Sequence, residues 1–297
     1  MGVVELNRIA RRCCAAALVL ATWFSGTAVR VWGAEEQSGV SAVALRTAIA
    51  ASDHAEVIRL ATALLEPLAK QTEPARLATE LELRYVRGRA YFCQAQLRES
   101  LADFNRMIEL DPARERQLWE RGIVQYYLGQ YAEGARQFEL YQTYYDQDVE
   151  NSVWRYLCQV RATDAEQARR QMLPIERDRR VPLMEIYRLF RGEGTVEDVL
   201  KGAERPGSSD EDLIDQRFFA HLYLGLYYEA LGQAEPSRKH IDLAVDRYGQ
   251  HRHYMWEVAR VHQQLRRPAK AGNPVPAESP VPAESPAPAE SPAQPRR

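Results

Sequence analysis

Apolar residues recur every three or four positions through most of the chain, the spacing of one buried helix face. Ser41 to Ala50 opens the series. His54 to Lys70 follows, with Ala55, Ile58, Leu60, Ala61, Leu64, Leu65 and Leu68 on its apolar side and Ser52-Asp53 as its cap. Leu81 to Cys93 and Leu97 to Leu110 form the next pair. Asp111-Pro112 ends it, because proline disfavours helix in the residue before it. Residues 115–148 repeat the pair, with Gly129 at the turn. Four helices follow in 149–205. Val153, Trp154, Leu157 and Val160 mark the first; Ala165, Ala168, Met172 and Leu173 mark the second, which Pro174 stops. Pro182 to Leu189 gives the third, and Val196, Val199 and Leu200 a short fourth. Glu204 to Asp210 is rich in turn formers. A last hairpin covers about 218–251, and His253 to Leu265 reads as a capping helix that buries Trp256, Val258, Ala259 and Val261.

Within this helical pattern lies a second, longer period. Arg87-Gly88-x-x-Tyr91 is followed by Ser100, Phe104 and Pro112; Arg121-Gly122-x-x-Gln125 is followed by Gly134 and Phe138. Gly88 and Gly122 stand 34 residues apart, as do Phe104 and Phe138. Leu224-Gly225-x-x-Tyr228, then Ser237 and Ile241, keep the same internal distances. A small residue on one helix facing a large one on the next lets two helices pack closely. One such hairpin cannot bury its face alone, so neighbours stack.

These residues resemble the tetratricopeptide repeat (TPR), in three windows covering about a third of the chain. The resemblance implies an all-α solenoid of helical hairpins, interrupted by an irregular helical insertion. The divisions expected are an N-terminal helical cap over 35–80, two repeats over 81–148, irregular helices over 149–217, and a third repeat with a capping helix over 218–267. Some consensus positions depart: Arg84, Leu118 and His221 replace the first-helix tryptophan, and Arg87 and Arg121 precede the glycine where leucine is usual. The layout is also similar to the NlpI-type envelope repeat proteins. Trp154-Arg155-Tyr156-Leu157 and Phe219 to Tyr228 occupy corresponding places. That resemblance implies an adaptor of the cell envelope, although the lipoprotein cysteine is missing.

The two ends differ from this pattern. Arg8, Arg11 and Arg12 precede a short apolar run from Cys14 to Phe24, then small residues to Ala34. Residues 1–34 therefore read as a signal peptide cut near Gly33 or Ala34, which would place the chain in the periplasm or envelope. An uncleaved membrane anchor is the alternative. No lipid anchor is expected, because Cys13 and Cys14 precede the apolar run. Beyond Pro268, Val275 to Pro280, Val281 to Pro286 and Ala287 to Pro292 form three Pro/Ala/Glu/Ser hexapeptides. Proline this dense removes backbone donors, so 268–297 is expected to be a disordered, extended tail. The formal net charge is −2, and removing the leader's four arginines makes the chain more acidic, so nucleic acid is not an expected partner. Cys93 and Cys158 read as small buried hydrophobes, with a bridge between them as the alternative in an oxidising compartment.

In the TPR family, ligand contacts come from the inward face of each first helix. Carried to this chain, those positions hold Tyr85, Arg89 and Phe92, then Arg116, Trp119, Ile123, Tyr126 and Tyr127, and in the last copy Phe219, Leu222, Leu226 and Glu229. Aromatic and arginine side chains are enriched in binding hot spots. The expected function is therefore non-enzymatic: a protein- or peptide-binding scaffold, with self-association into a homo-oligomeric assembly as the second reading. The alternative for these residues is that they pack against neighbouring helices. No catalytic residue, cofactor or metal is expected. His240, His251, His253 and His262 lie near one another but lack the ligands that complete a zinc pattern.

Overall fold

The computed structural model describes residues 41–68, 74–251 and 253–267, and every regular element among them is helical. Residues 1–40, which include the segment read as a signal peptide, and the Pro-rich segment 268–297 lie outside the described residues. Two helices, α1 (Ala42–Ala50) and α2 (His54–Leu68), form the N-terminal pair. The Ser41 hydroxyl accepts from the Val43 amide and the Asp53 carboxylate accepts from the Glu56 amide, so both starts are capped. Hairpins α3 (Pro74–Cys93) with α4 (Leu97–Leu110), and α5 (Trp119–Tyr127) with α6 (Tyr131–Gln142), come next. Helices α7 (Val149–Ala162), α8 (Ala165–Arg170), α9 (Leu183–Arg191) and α10 (Val196–Gly202) make the irregular middle. A third hairpin pairs α11 (Asp210–Ala230) with α12 (Ala234–Asp242), and α13 (Tyr254–Arg266) is last.

The three hairpins share one turn. The amides of Gln96, Gln130 and Gln233 donate to the carbonyls of Tyr91, Gln125 and Tyr228, each at 2.9 Å. This six-to-one bond closes a helix end and needs a left-handed residue just before it. Gly129 and Gly232 supply it with φ of 76° and 71°; in the first hairpin Ala95 does so at 56°. Each hairpin also closes over its repeat glycine. A Cβ on Gly122 would stand 2.7 Å from Phe138 Cζ, and one on Gly225 2.6 Å from Ile241 Cδ1. Gly88 meets Phe104 in the same way at 3.1 Å. Phe104, Phe138 and Ile241 are buried, whereas Tyr91 and Tyr228 are only half-buried.

Helix α7 forms the centre of the larger core. It packs on α5, α6, α9 and α11, and every residue from Val149 to Gln159 is buried. Trp154 stacks on Phe138 and meets Tyr126 edge-on at 5.5 Å. Fully burying a large apolar side chain of this kind stabilises by roughly 1.5–3 kcal/mol. A smaller core joins α1, α2 and α3 through Leu45, Leu60, Leu64 and Leu83.

Several boundaries move. Helix α3 starts at Pro74 and crosses the expected division at 80/81, and α11 crosses the one at 217/218. Residues 112–117 form a 3₁₀ turn opened by Pro112, which delays α5 until Trp119 and leaves Arg116 off the helix. Gln171 to Pro182 contain no helix, so α8 is only six residues long. No helix among the described residues is long and apolar enough to cross a membrane.

Candidate functional site

The first helices of the three hairpins, α3, α5 and α11, all touch α13. Tyr85, Arg89 and Phe92 fall at i, i+4 and i+7 on α3, and Trp119, Ile123 and Tyr126 do so on α5, so each set shares a face. Both sets are covered by α13. The aromatic ring of Tyr254, the first residue of α13, lies between these helices. The Arg89 guanidinium sits 3.9 Å from its centroid, Trp119 meets it edge-on at 5.5 Å, and Phe92 is tilted beside it at 5.9 Å. An arginine this close over an aromatic face is attracted by the ring quadrupole.

Beneath Tyr254 the polar groups of α3 and α5 are paired with each other. The Tyr85 hydroxyl donates to Glu120 at 2.6 Å and accepts from Arg89 at 3.2 Å. Burial raises the Glu120 carboxyl above its ordinary range, and the nearby Arg89 charge only partly offsets it. At the other end of α13, Tyr127 and His262 Nδ1 lie 3.1 Å apart. Burial holds the His262 pKa down to about 4, so the imidazole is neutral at pH 7. Arg266 lies over the Tyr127 ring at 5.8 Å and donates to Glu229 of α11 at 2.6 Å. Tyr126 donates to the second Glu229 oxygen at 2.9 Å. Glu229 thus ties α5, α11 and α13 together.

The N-terminal half of α13 also reaches α2. Glu257 accepts from His54 at 2.8 Å and from Arg260 at 2.8 Å, and Arg260 also donates to the Cys93 carbonyl at the end of α3. Cys93 and Cys158 are both buried and unbridged. Burial pushes the Cys93 thiol up to about 12, with the Glu257 charge adding to it. Such a thiol is no nucleophile at neutral pH.

Of the residues expected to line a groove, Tyr85, Phe92, Ile123 and Tyr126 are buried, and Arg89, Trp119 and Tyr127 are half-buried beneath α13. Phe219 stacks on His253, and Leu222 and Leu226 are core residues. Arg116 is the exception: it is exposed on the 3₁₀ turn and lies over Tyr144. The four C-terminal histidines do not converge. His240 meets His221, His251 meets Asp215, His253 packs on Phe218 and Phe219, and His262 meets Tyr127.

Sequence reading placed this helix as a cap but did not show that it lies against the first helices of the hairpins. A terminal cap keeps one face in solvent, yet Met255, Glu257, Val258, Ala259, Val261 and His262 are all buried. Burial around most of the circumference marks a helix with neighbours on several sides. The available signal was the mixture of Glu257 and His262 with apolar residues over these few turns. No protein-family model matches the chain, and no curated protein is similar to it.

Proposed function

We propose that the chain is a TPR-type, non-enzymatic scaffold of the cell envelope. It binds an amphipathic helix of a protein partner on the wall made by α3, α5 and α11, and α13 is the built-in occupant of that wall. The observation that carries the reading is the seating of Tyr254 among Arg89, Phe92 and Trp119. It is a helix held by an aromatic anchor in a slot built from first helices, the mode of helix-in-groove recognition. The shared turn and the three glycine contacts support the TPR-type stacking. Tyr85, Arg89, Phe92, Trp119, Tyr126 and Tyr127 lie along this helix, and their polar atoms are largely spoken for. A partner therefore competes with α13 and does not enter an open cleft.

The test uses a fluorescent peptide spanning Tyr254 to Arg266 and a full chain carrying Tyr254→Ala with His262→Ala, which weakens both ends of the docked helix. The peptide should bind this variant saturably, and bind the unaltered chain at least about tenfold more weakly, because its own α13 competes. If the variant keeps its helical circular dichroism and the peptide still fails to bind, the wall is packing and not a receptor.

A second reading, self-association, has its own support. The bond between His54 and Glu257 joins residues 203 apart in sequence, so α13 is an element that two copies could exchange. Sedimentation decides between them: a dimer that dissociates on weakening α13 favours exchange, and a monomer favours the receptor.

A further inference from the structure

Three side chains of different chemistry meet where α2, α3 and α13 come together. One ring nitrogen of His54, the sulfur of Cys93 and a carboxylate oxygen of Glu257 all lie within 4.8 Å of one another. No other such trio of potential ligands occurs among the described residues. We infer that His54, Cys93 and Glu257 form a site for a divalent cation of the zinc class, and that the bound ion latches α13 to the N-terminal helices.

The donor set selects the ion. Imidazole and thiolate suit zinc and similar borderline ions, whereas magnesium and calcium take oxygen ligands. Three protein ligands with a fourth position for water is an ordinary zinc arrangement. With zinc–ligand bonds of about 2.0–2.3 Å, ligand atoms of a tetrahedral site stand about 3.3–3.8 Å apart. The trio is within reach of that spacing. The pair at 2.8 Å, His54 Nε2 and Glu257 Oε1, has to open by roughly 0.5 Å, a side-chain adjustment. Charge also closes: the thiol releases its proton to solvent on binding, and thiolate and carboxylate together neutralise the ion.

The surroundings hold the ligands in place. Arg260 donates from Nε to Glu257 Oε2, which leaves Oε1 toward His54, and its terminal nitrogen donates to the Cys93 carbonyl. A partner that fixes a ligating carboxylate in this way is a usual outer-shell element of metal sites. A mere ion pair between His54 and Glu257 would pin α13 without help; the thiol arriving from a third helix is what a pair does not need. Because Glu257 joins the other two only when α13 is docked, the ion binds the closed chain and stabilises it by mass action. The inference stands whatever the wall binds.

The test is a cobalt titration of the metal-free full chain. One equivalent should produce thiolate-to-cobalt charge-transfer absorption. The band should persist in Cys158→Ala and vanish in Cys93→Ala. In Glu257→Gln, affinity should fall by more than about 100-fold, since even outer-shell losses cost about 10–100-fold. Absence of the band in the unaltered chain, or its persistence in Cys93→Ala, overturns the site. A second measurement needs no variant. In mild urea, zinc should slow alkylation of Cys93 and leave Cys158 unchanged, with Cys13 and Cys14 followed separately by peptide mass. Equal Cys93 alkylation with and without zinc also overturns it. The peptide experiment reads the wall and this one reads the metal, so either can fail alone.

Discussion

Arg87 and Arg121 stand where a repeat of this kind usually has leucine, and the structure gives the physical reason. Arg87 grips Asp103 with two hydrogen bonds of 2.7 Å, and Arg84 adds a third at 3.0 Å. Sixteen residues further along in the second copy, as in the first, Arg121 donates to Gln137 at 2.8 Å. Asp103 and Gln137 are buried immediately before Phe104 and Phe138. Each hairpin therefore has a polar clasp beside its apolar contact. Removing one partner of a buried pair leaves the other charge stranded, at about 3–5 kcal/mol. Asp103→Ala should lower stability by that order in urea denaturation, with the helical spectrum kept at zero denaturant; a loss below about 1 kcal/mol would show that Arg84 and Arg87 simply turn to solvent. The clasp was written in the sequence as two matching Arg-to-polar spacings. It was illegible as such because a single departure from consensus looks like drift until its partner is known. Tyr85, Phe92 and Tyr126 teach the converse. The repeat resemblance implied an inward face for them, but it could not say what occupies that face.

At the scale of elements, the glycines mark where two helices approach most closely. The Phe138 ring fills the space a Gly122 side chain would need. Gly122→Ala should cost about 1–3 kcal/mol through overpacking, read as a lower melting temperature, even though alanine is the better helix former. An unchanged or higher melting temperature would mean that α6 is free to shift. Helix existence was legible nearly throughout, whereas helix ends were not. Asp210, Glu211 and Asp212 occupy the first turn of α11 behind a Ser209–Asp212 capping box, where negative charge is favoured by the helix dipole. Pro74 lies in the first turn of α3, where proline's missing amide costs nothing. The shortness of α8 had no local signal, because Met172 and Leu173 continue the apolar spacing after the helix has ended.

Over the whole molecule, α13 changes what a stack of hairpins would otherwise be. Such stacks contact only their neighbours and behave as nearly one-dimensional chains. Here the last helix bonds to α2, α3, α5 and α11, so the ends of the described chain share one network. Three of the molecule's histidines are held neutral. Burial lowers the pKa of His253 and His262 to about 4, and burial with the His240 charge does the same to His221. A histidine depressed in the folded state takes up its proton first in the unfolded state, near pH 6.5. Their contribution is thus intact above about pH 6.5 and is lost progressively as pH falls toward 4. The urea midpoint should drop across that window, and His262→Gln should make the drop shallower. A midpoint that is flat from pH 6.5 to 4 would contradict the buried, neutral imidazoles.

The bond between His54 and Glu257 has a consequence for synthesis. A ribosome makes α2, α3 and α5 long before Tyr254 exists, so for most of its translation the polypeptide presents an uncovered aromatic slot. During that interval the slot lacks its cover, and a premature stop ahead of residue 254 would leave it so permanently. Helix α13 acts as a completion mark: the aromatic slot is covered only once residues 254–266 have been added.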